Sequence, residues 1–522
     1  MARINTNVPS LVARANLARA NAELEVRLQR LSTGLRINRG ADDPAGLIIS
    51  ERIRSDIQGV TQGINNADRA SSVLATTEAA LTEVNDLLTS IRSLIVEAAN
   101  TGANSAAERD ANQLQIDSAI DSITRISNTA SFGGLKLLNG SLDYNLSGVT
   151  TSEIAKAQVF NASFVDSENL EVEVEVVASA QTGALYLRGD YSPPNDVANG
   201  LVLSATTLEI QGPNGVEIIQ IPVSASLDSI VTAVNNLTAL TGVRAERINA
   251  SDITSGIVFQ SVKYGSEAFV SVKRLQGPSD PSEDYFATYK FVDGEEVPGS
   301  VPFPWSDIGT TLTSANRDIG QNVNALINGA LATGDGINIS VNSTSLGIKL
   351  ILTESFATTP GSTSSFYITG GGALFQLGAQ VTAQQQANIG VPSMSASKLG
   401  GTLVSGELQF LSSLKSGQEN AIRSLVERGD FSAASEILET AIDEISILRG
   451  RLGAFERNVL QTNVRSLQAS LENLSASVSR IRDADFAAET SFLTRAQILV
   501  SAGSSVLTLA NQQSQQVLQL LG

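Results

Sequence analysis

Apolar residues recur at steps of three and four near both ends of this 522-residue chain. At the N-terminal end the steps run through Leu17, Leu24, Leu28, Leu31 and Leu35, and they resume from Ile53 to Leu88. Near the C-terminus they run from Ile445 to Val459 and, after a step of five, from Val464 to Ile481. Such sustained heptads predict long helices that bury a seam against other helices. An ordinary intramolecular helix bundle is the alternative interpretation.

The dipeptide Asp43-Pro44 predicts the start of the longest helix. An Asp side chain can accept hydrogen bonds from the free N–H groups of a first helical turn, and Pro suits the first helical position. An acid or metal pair at Asp42 and Asp43 is the alternative, and the following Pro favours the cap. The helix would form a rod about 80 Å long, at about 1.5 Å per residue, with the C-terminal helices as its partner.

The centre of the chain has a different composition: 11 of its 13 prolines and all seven tyrosines lie between Tyr144 and Pro392. Residues 170–176 alternate between apolar residues and Glu, which predicts a half-buried strand. Two further runs, 207–211 and 216–221, flank Gly-Pro-Asn-Gly and predict a hairpin. Helical stretches predicted at 227–240 and 323–332 each precede strand-like segments, which suggests two β-rich modules with one helix each.

Together these patterns predict an α+β protein. The terminal segments would form a long antiparallel helical, coiled-coil rod, and the central β-rich domains would be inserted into it. We expect an N-terminal helical arm over residues 1–42 and the N-terminal half of the rod over 43–144. A central region of about two modules would follow over 145–404. The C-terminal half of the rod would span 405–482, and a C-terminal helical arm 483–522.

The absence of two residue types excludes several common classes of catalytic site. The chain has no Cys and no His, which excludes thiolate nucleophiles, thiolate and His-zinc sites and Ser-His-Asp triads. A carboxylate pair among Glu171, Glu173 and Glu175 is conceivable, but their spacing is typical of a solvated sheet face. We therefore expect no enzyme activity, no catalytic or metal-binding residues and no cofactor.

The formal net charge of −18 is unevenly distributed. Residues 1–140 carry −1 and residues 401–522 carry −3, which leaves −14 for the centre. This balance argues against a nucleic-acid partner, whereas near-neutral ends can pack against other copies. We expect one series of basic residues to form a solvated or subunit-bridging helix face, with a membrane or anion patch as the alternative: Arg14, Arg19, Arg27, Arg30, Arg36 and Arg39.

The sequence shows no unbroken run of about 18 apolar residues and no apolar core near Met1, so we expect neither membrane insertion nor a cleavable secretory signal. Both extreme ends are rich in Ala, Ser, Asn and Gln yet contain many apolar residues. Their only evident partner is the other end or another molecule. Free in solution, we expect these arms to be poorly ordered.

Several motifs resemble bacterial flagellin, over residues 1–140 and 405–522. They are Ile4-Asn5-Thr6-Asn7, Ser32-Thr33-Gly34-Leu35-Arg36-Ile37-Asn38, Ala41-Asp42-Asp43-Pro44-Ala45-Gly46, Ser131-Phe132-Gly133-Gly134-Leu135-Lys136-Leu137-Leu138, Ala484-Asp485-Phe486-Ala487-Ala488-Glu489, Ala510-Asn511-Gln512 and Val517-Leu518-Gln519-Leu520-Leu521. The central modules resemble small inserts of longer flagellins.

The resemblance implies a subunit of the flagellar filament that leaves the cell through the flagellar export channel. Its implied partners are other copies in a helical homopolymer, the flagellar cap, hook-associated proteins and an export chaperone. The residues implied in self-assembly are Leu17, Leu24, Leu28, Leu31, Leu35, Leu507, Leu518 and Leu521. A hook–filament junction protein is the alternative, and a carbohydrate-acting enzyme or adhesin on the central modules is a third possibility.

Some flagellins are recognised by an animal innate receptor through the first long helix and its neighbour. Arg92 and Leu94 match the pattern that this resemblance implies. Ser90 stands where the pattern has an Arg, and Gln115 stands where it has a Glu. We therefore expect weakened receptor recognition, with core packing as the alternative role of Leu94.

Overall fold

The computed structural model describes residues 6–164, 169–188, 200–202, 205–252, 255–276, 286–292, 303–343, 345–404 and 406–521, apart from the side chains of Ser306 and of residues 514–521. It confirms the α+β class. Its helices are α1 Val8–Thr33, α2 Pro44–Ala99, α3 Ala106–Thr129, α4 Leu227–Asn235, α5 Thr238–Thr241, α6 Glu354–Ala357, α7 Ile422–Arg428, α8 Ser432–Phe455, α9 Gln461–Arg482 and α10 Phe486–Leu521.

The strands lie between α3 and α7. They are β1 Ser131–Phe132, β2 Leu135–Lys136, β3 Tyr144–Ser147, β4 Ile154–Ala162, β5 Leu170–Ala178, β6 Ala184–Leu187, β7 Leu201–Val202, β8 Thr206–Gln211, β9 Val216–Ile221, β10 Ala225–Ser226, β11 Val243–Arg247, β12 Ile257–Ser261, β13 Phe269–Gln276, β14 Thr288–Phe291, β15 Leu312–Ser314, β16 Arg317–Ile319, β17 Asn324–Ile327, β18 Ala330–Leu331, β19 Thr333–Asp335, β20 Asn338–Asn342, β21 Leu346–Leu352, β22 Thr363–Gly371, β23 Ala373–Gln376, β24 Gln386–Ile389, β25 Thr402–Val404 and β26 Glu407–Gln409.

The chain divides into two compact units. One comprises residues 1–71, 375–387 and 455–522, and the other comprises 72–374 and 388–454. The domain boundaries expected from the sequence remain predictions.

Helix α2 begins where the sequence predicts. Asp43 precedes Pro44, and its Oδ1 accepts a hydrogen bond from the Gly46 N–H at 2.9 Å, which is the geometry of an N-terminal cap. The predicted stripe is largely buried along the helix, and Val84 is buried in place of its neighbour Asn85. Helix α3 opens with a capping box, in which Ser105 and Glu108 each accept from the other's backbone N–H.

The step of five in the C-terminal heptads coincides with a π-helical turn, Glu456–Leu460, between α8 and α9. A π turn accommodates one extra residue without breaking the helix. As a result Leu460 is fully buried, whereas Val459, which the heptads placed on the seam, is only half-buried.

Among the described residues, two large β cores are nested. The first joins sheets β18-β17-β5-β22-β3 and β19-β20-β21-β4 around Val172, Ile348 and Phe366. The second joins sheets β11-β12-β6-β14-β15 and β16-β13-β8-β9 with α4, around Ile230 and Phe259. Its strands lie entirely between β5 and β17 in the sequence, so one module is inserted into the other.

The predicted strand at residues 170–176 and the predicted hairpin β8–β9 are confirmed, as is the helical stretch at 227–240, which forms α4 and α5. The helix predicted at 323–332 is wrong: this segment forms the hairpin β17–β18. Asn328 and Gly329 both have positive φ, at 50° and 75°, which is the backbone of a tight hairpin turn favoured by Asn-Gly.

Candidate self-assembly surface

The two ends of the chain meet as an antiparallel helix pair. Asn7, just before α1, donates from Nδ2 to the Ala510 carbonyl oxygen of α10 at 3.1 Å. Ser10 Oγ donates to Asn511 Oδ1 at 2.7 Å. At the other end of the pair, Leu35 and Asp483 form an isolated antiparallel bridge. Each arm thus has the other as its partner in the single chain, and poor order of the arms free in solution remains a prediction.

Small residues allow the two helices to approach closely. Ala13, Ala496 and Ala510 are buried. A Cβ atom built on Gly503 would lie 3.7 Å from the Leu17 Cβ and 3.3 Å from its Cδ1. The contact thus combines leucines of α1 with small side chains of α10.

A cluster of charged side chains joins the pair near its other end. Glu489 in the first turn of α10 accepts from Arg27 Nη1 at 3.0 Å and from Arg30 Nη1 at 3.2 Å. The Arg27 guanidinium also lies over the Phe492 ring, 4.6 Å from its centroid. For these two arginines the expected solvated face is wrong, because both bind a carboxylate of their own chain, and a subunit-bridging role remains a prediction.

The segment after α1 is bound to the end of α9. The Arg36 N–H donates to the Arg482 carbonyl oxygen at 2.7 Å, and the Ala484 N–H donates to the Gly34 carbonyl oxygen at 2.9 Å. Arg482 also binds Glu51 of α2 at 2.6 Å, and this hydrogen bond is the main reason why the pKa of the Glu51 carboxyl lies below its ordinary value. Asp42 accepts from the N–H groups of Asn38 and Arg39, and these bonds lower the pKa of its carboxyl.

The leucines implied in self-assembly are only partly covered by this pairing. Leu28 is exposed, and the half-buried ones are Leu17, Leu24, Leu31, Leu35 and Leu507. Leu518 and Leu521 belong to the last turns of α10, whose side chains lie outside the described residues. Their roles in assembly remain predictions.

Many other apolar side chains of the pair face solvent, among them Ile498 at 62% exposure and Leu509 at 65%. The rest of this exposed set is Val8, Leu11, Val12, Phe486, Phe492, Leu499 and Val506. We call Leu28 and these nine residues the exposed apolar set. Phe486 and Phe492 were not singled out from the sequence as apolar surface, because they lie outside the leucine periodicity.

By length and composition alone, residues 486–513 of α10 could cross a membrane, although only 6% of their most apolar window is buried. The criterion used for the sequence was stricter. It required an unbroken apolar run, whereas an average over the helix tolerates its Ser, Thr and Gln residues. The absence of membrane insertion remains a prediction.

The residues compared with the receptor pattern lie on α2 and α3. Arg92 on α2 and Gln115 on α3 are exposed, and Leu94 is half-buried. Weakened receptor recognition remains a prediction.

Glu171, Glu173 and Glu175 line the exposed face of β5, and Tyr367 of the adjacent strand β22 donates to Glu171 Oε1 at 3.0 Å. Within the described ranges, no group of three or more acidic side chains could hold a metal ion.

These features define a class of structural protein in which both chain ends form one helix pair with an uncovered apolar surface, while β modules occupy the middle of the sequence. Family models agree with this description. The bacterial flagellin N-terminal helical region matches residues 4–143, the C-terminal helical region matches 435–521, and the flagellin hook IN motif matches 207–263. The chain belongs to the bacterial flagellin family.

Relatives match along nearly the whole chain. The flagellin of Salmonella choleraesuis and the B-type flagellin of Pseudomonas aeruginosa are each 28% identical, over 99% of both chains. Among solved structures, FliC from Burkholderia pseudomallei matches 76% of this chain and 99% of that chain at 15% identity, with a TM-score of 0.25. The structure of the D1-D2-D3 domains of the Escherichia coli cap protein FliD matches 48% of this chain and 64% of that chain at 19% identity, with a TM-score of 0.28. Structural scores this low add nothing to the assignment.

Proposed function

We propose that this protein is the structural subunit of a bacterial flagellar filament and that it polymerises through α1 and α10. The observation that carries this proposal is the exposed apolar set on a helix pair made from both chain ends. Apolar side chains that their own chain leaves in water gain about 25 cal/mol per Å² when another surface covers them. Neighbouring copies in a helical polymer supply such a surface through contacts that never close on themselves.

The polymer would lie outside the cell, after export of the chain through the flagellar apparatus. The flagellar cap, hook-associated proteins and an export chaperone are its proposed partners. The central region, with its charge of −14 over residues 141–400, would remain solvated and keep filaments apart.

The named relatives favour the filament subunit over the junction protein. Electron microscopy of the purified chain separates these two functions: long polymers support the filament subunit, and short isolated assemblies support the junction protein.

Single substitutions in the exposed apolar set test the assembly role. We expect I498D and L509D to prevent polymerisation, because each would place a carboxylate where a neighbouring copy packs. Their thermal unfolding should change little, since both side chains are exposed in the single chain. The matched control is L331D, which changes an apolar residue of 69% exposure on the central hairpin β17–β18. Normal filaments from I498D and L509D would contradict the proposal, as would loss of filaments from L331D alone.

A further inference from the structure

Glu489 stands out in the contact between the chain ends. It is 6% exposed and is the one charged residue classed as buried within the described part of the chain. Its carboxylate binds both Arg27 and Arg30. Arg27 also pairs with Glu23 at 3.4 Å, whereas Glu489 is the carboxylate that pairs with Arg30.

The apolar part of the α1–α10 contact repeats every seven residues. On α1 the repeating positions are Leu17, Leu24 and Leu31, and on α10 they are Ala496, Gly503 and Ala510. A slip of seven residues, about 10.5 Å along the helix, would again set leucines against small side chains. Packing of these residues therefore does not distinguish the observed register from a slipped one.

Glu489 breaks this repeat, because it occupies the position seven residues before Ala496. A slip in one direction would move it from Arg27 and Arg30 to the level of Ala20 and Glu23, beside a like charge. A slip in the other direction would move it beyond Thr33, where α1 ends. In both cases Arg30 would lose its carboxylate and Arg27 would keep only Glu23, which is costly in a partly desolvated site.

We propose that Glu489 is a positioning residue that, together with the backbone bonds between residues 34–36 and 482–484, holds the register of α10 against α1 and thereby aligns the exposed apolar set of the two helices for assembly. A buried polar group that fixes helix register is the best-attested use of such groups. A simpler role for Glu489 is to stabilise the first turn of α10 through the helix dipole. That role would affect whether the helix forms and would leave its register unchanged.

Because the chain has no cysteine, disulfide cross-linking reports the register without background. In the full-length chain, L17C with G503C reports the observed register, since their Cβ atoms would lie 3.7 Å apart, within the range of a disulfide. L17C with A496C and L17C with A510C report slips of seven residues in either direction. A cross-link within one chain changes the mobility of the monomer band on a non-reducing gel, whereas a link between chains gives a dimer band.

With Glu489 present, we expect the L17C/G503C cross-link to predominate in monomers and in filaments. E489Q should reduce it severalfold and raise at least one slipped cross-link. The matched control, E472Q on α9, removes an exposed carboxylate and should leave the pattern unchanged. An unchanged pattern in E489Q would overturn the proposal. Loss of all three cross-links would also overturn it, because Glu489 would then support helix pairing without selecting its register.

In filaments this inference rests on the proposed function, but the two can fail separately. If the chain with Glu489 forms no filaments, the proposed function fails, while the monomer cross-links still measure register. If filaments form and E489Q retains the observed register in them, only the register proposal fails.

Discussion

Asp43 caps α2 through a single hydrogen bond to the Gly46 N–H. We expect D43A to lower the free energy of unfolding by about 1 kcal/mol, the usual cost of removing a side-chain cap. Denaturant unfolding followed by circular dichroism measures this change. D43N is the control, since Asn caps as well as Asp does. Equal destabilisation by D43A and D43N would show that the side-chain oxygen does not provide the stabilisation.

The buried carboxyl of Asp143 should make the free energy of unfolding depend on pH. Burial raises the pKa of its carboxyl above the ordinary 3.8, although its Oδ1 accepts from the Tyr144 N–H. Between the ordinary and the raised pKa the folded chain binds more protons than the unfolded chain. The stability that this group contributes is therefore complete below pH 3.8 and is lost as the pH rises through the folded pKa.

D143N removes this titration and retains an acceptor for the Tyr144 N–H. We expect D143N to be more stable than the parent at neutral pH and to lose less stability as the pH rises from 3.8. Unfolding free energies measured across this window check the expectation. D56N, at an exposed position of α2, is the control. If D143N and the parent lose stability equally over the window, burial of Asp143 is not the cause.

Single residues differ in how well the sequence predicts them. Asp43 was predictable because a cap depends on its immediate neighbours and on the Pro that follows. Glu489 was not, because its partners lie more than 450 residues away in the chain and nothing nearby in the sequence indicates them. The only local signal was its heptad position among Ala and Gly residues.

Helix α2 has glycines at two positions where another segment of the chain approaches closely. A Cβ on Gly59 would lie 2.9 Å from the Ala379 Cβ, and a Cβ on Gly63 would lie 3.0 Å from the Leu377 carbonyl oxygen. Asn66 and Asn463 donate to the neighbouring carbonyl oxygens of Gln376 and Leu377. The segment between β23 and β24 thus lies against α2 and α9 at positions where a side chain on Gly59 or Gly63 would require the neighbouring atoms to move.

Replacing helical Gly by Ala normally stabilises a helix by about 1 kcal/mol. We expect G450A, on α8 with no atom within 4 Å of the added Cβ, to show this gain. G59A should instead lower the unfolding temperature, because the contact with Ala379 must open. Scanning calorimetry compares the two variants. A gain in G59A as large as that in G450A would contradict this packing.

Heptad spacing predicted the long helices because a helical period depends only on local sequence. The step of five also indicated where the period is interrupted, but it did not specify a π turn. The apolar spacing of residues 323–332 predicts a helix, whereas Asn328-Gly329 within it favours a hairpin turn. Short apolar runs are ambiguous between helix and strand.

For the whole molecule, the sequence predicted paired terminal helices and two central modules. It did not predict that one module is inserted into the other, because β5 pairs with β17 and β22 across the entire second module. Strand partners so far apart leave no local pattern. The family motifs lie mainly in the terminal segments, so they do not determine the order of the central strands either.

The central claim is that helices α1 and α10 drive polymerisation. The most direct test removes residues 1–33 and 486–522 together and compares the product with the full-length chain by sedimentation and electron microscopy. We predict that the truncated protein remains folded and soluble, with the circular dichroism and unfolding transition of its β modules retained, and forms no filaments under conditions in which the full-length chain polymerises. Long filaments from the truncated protein would contradict the account.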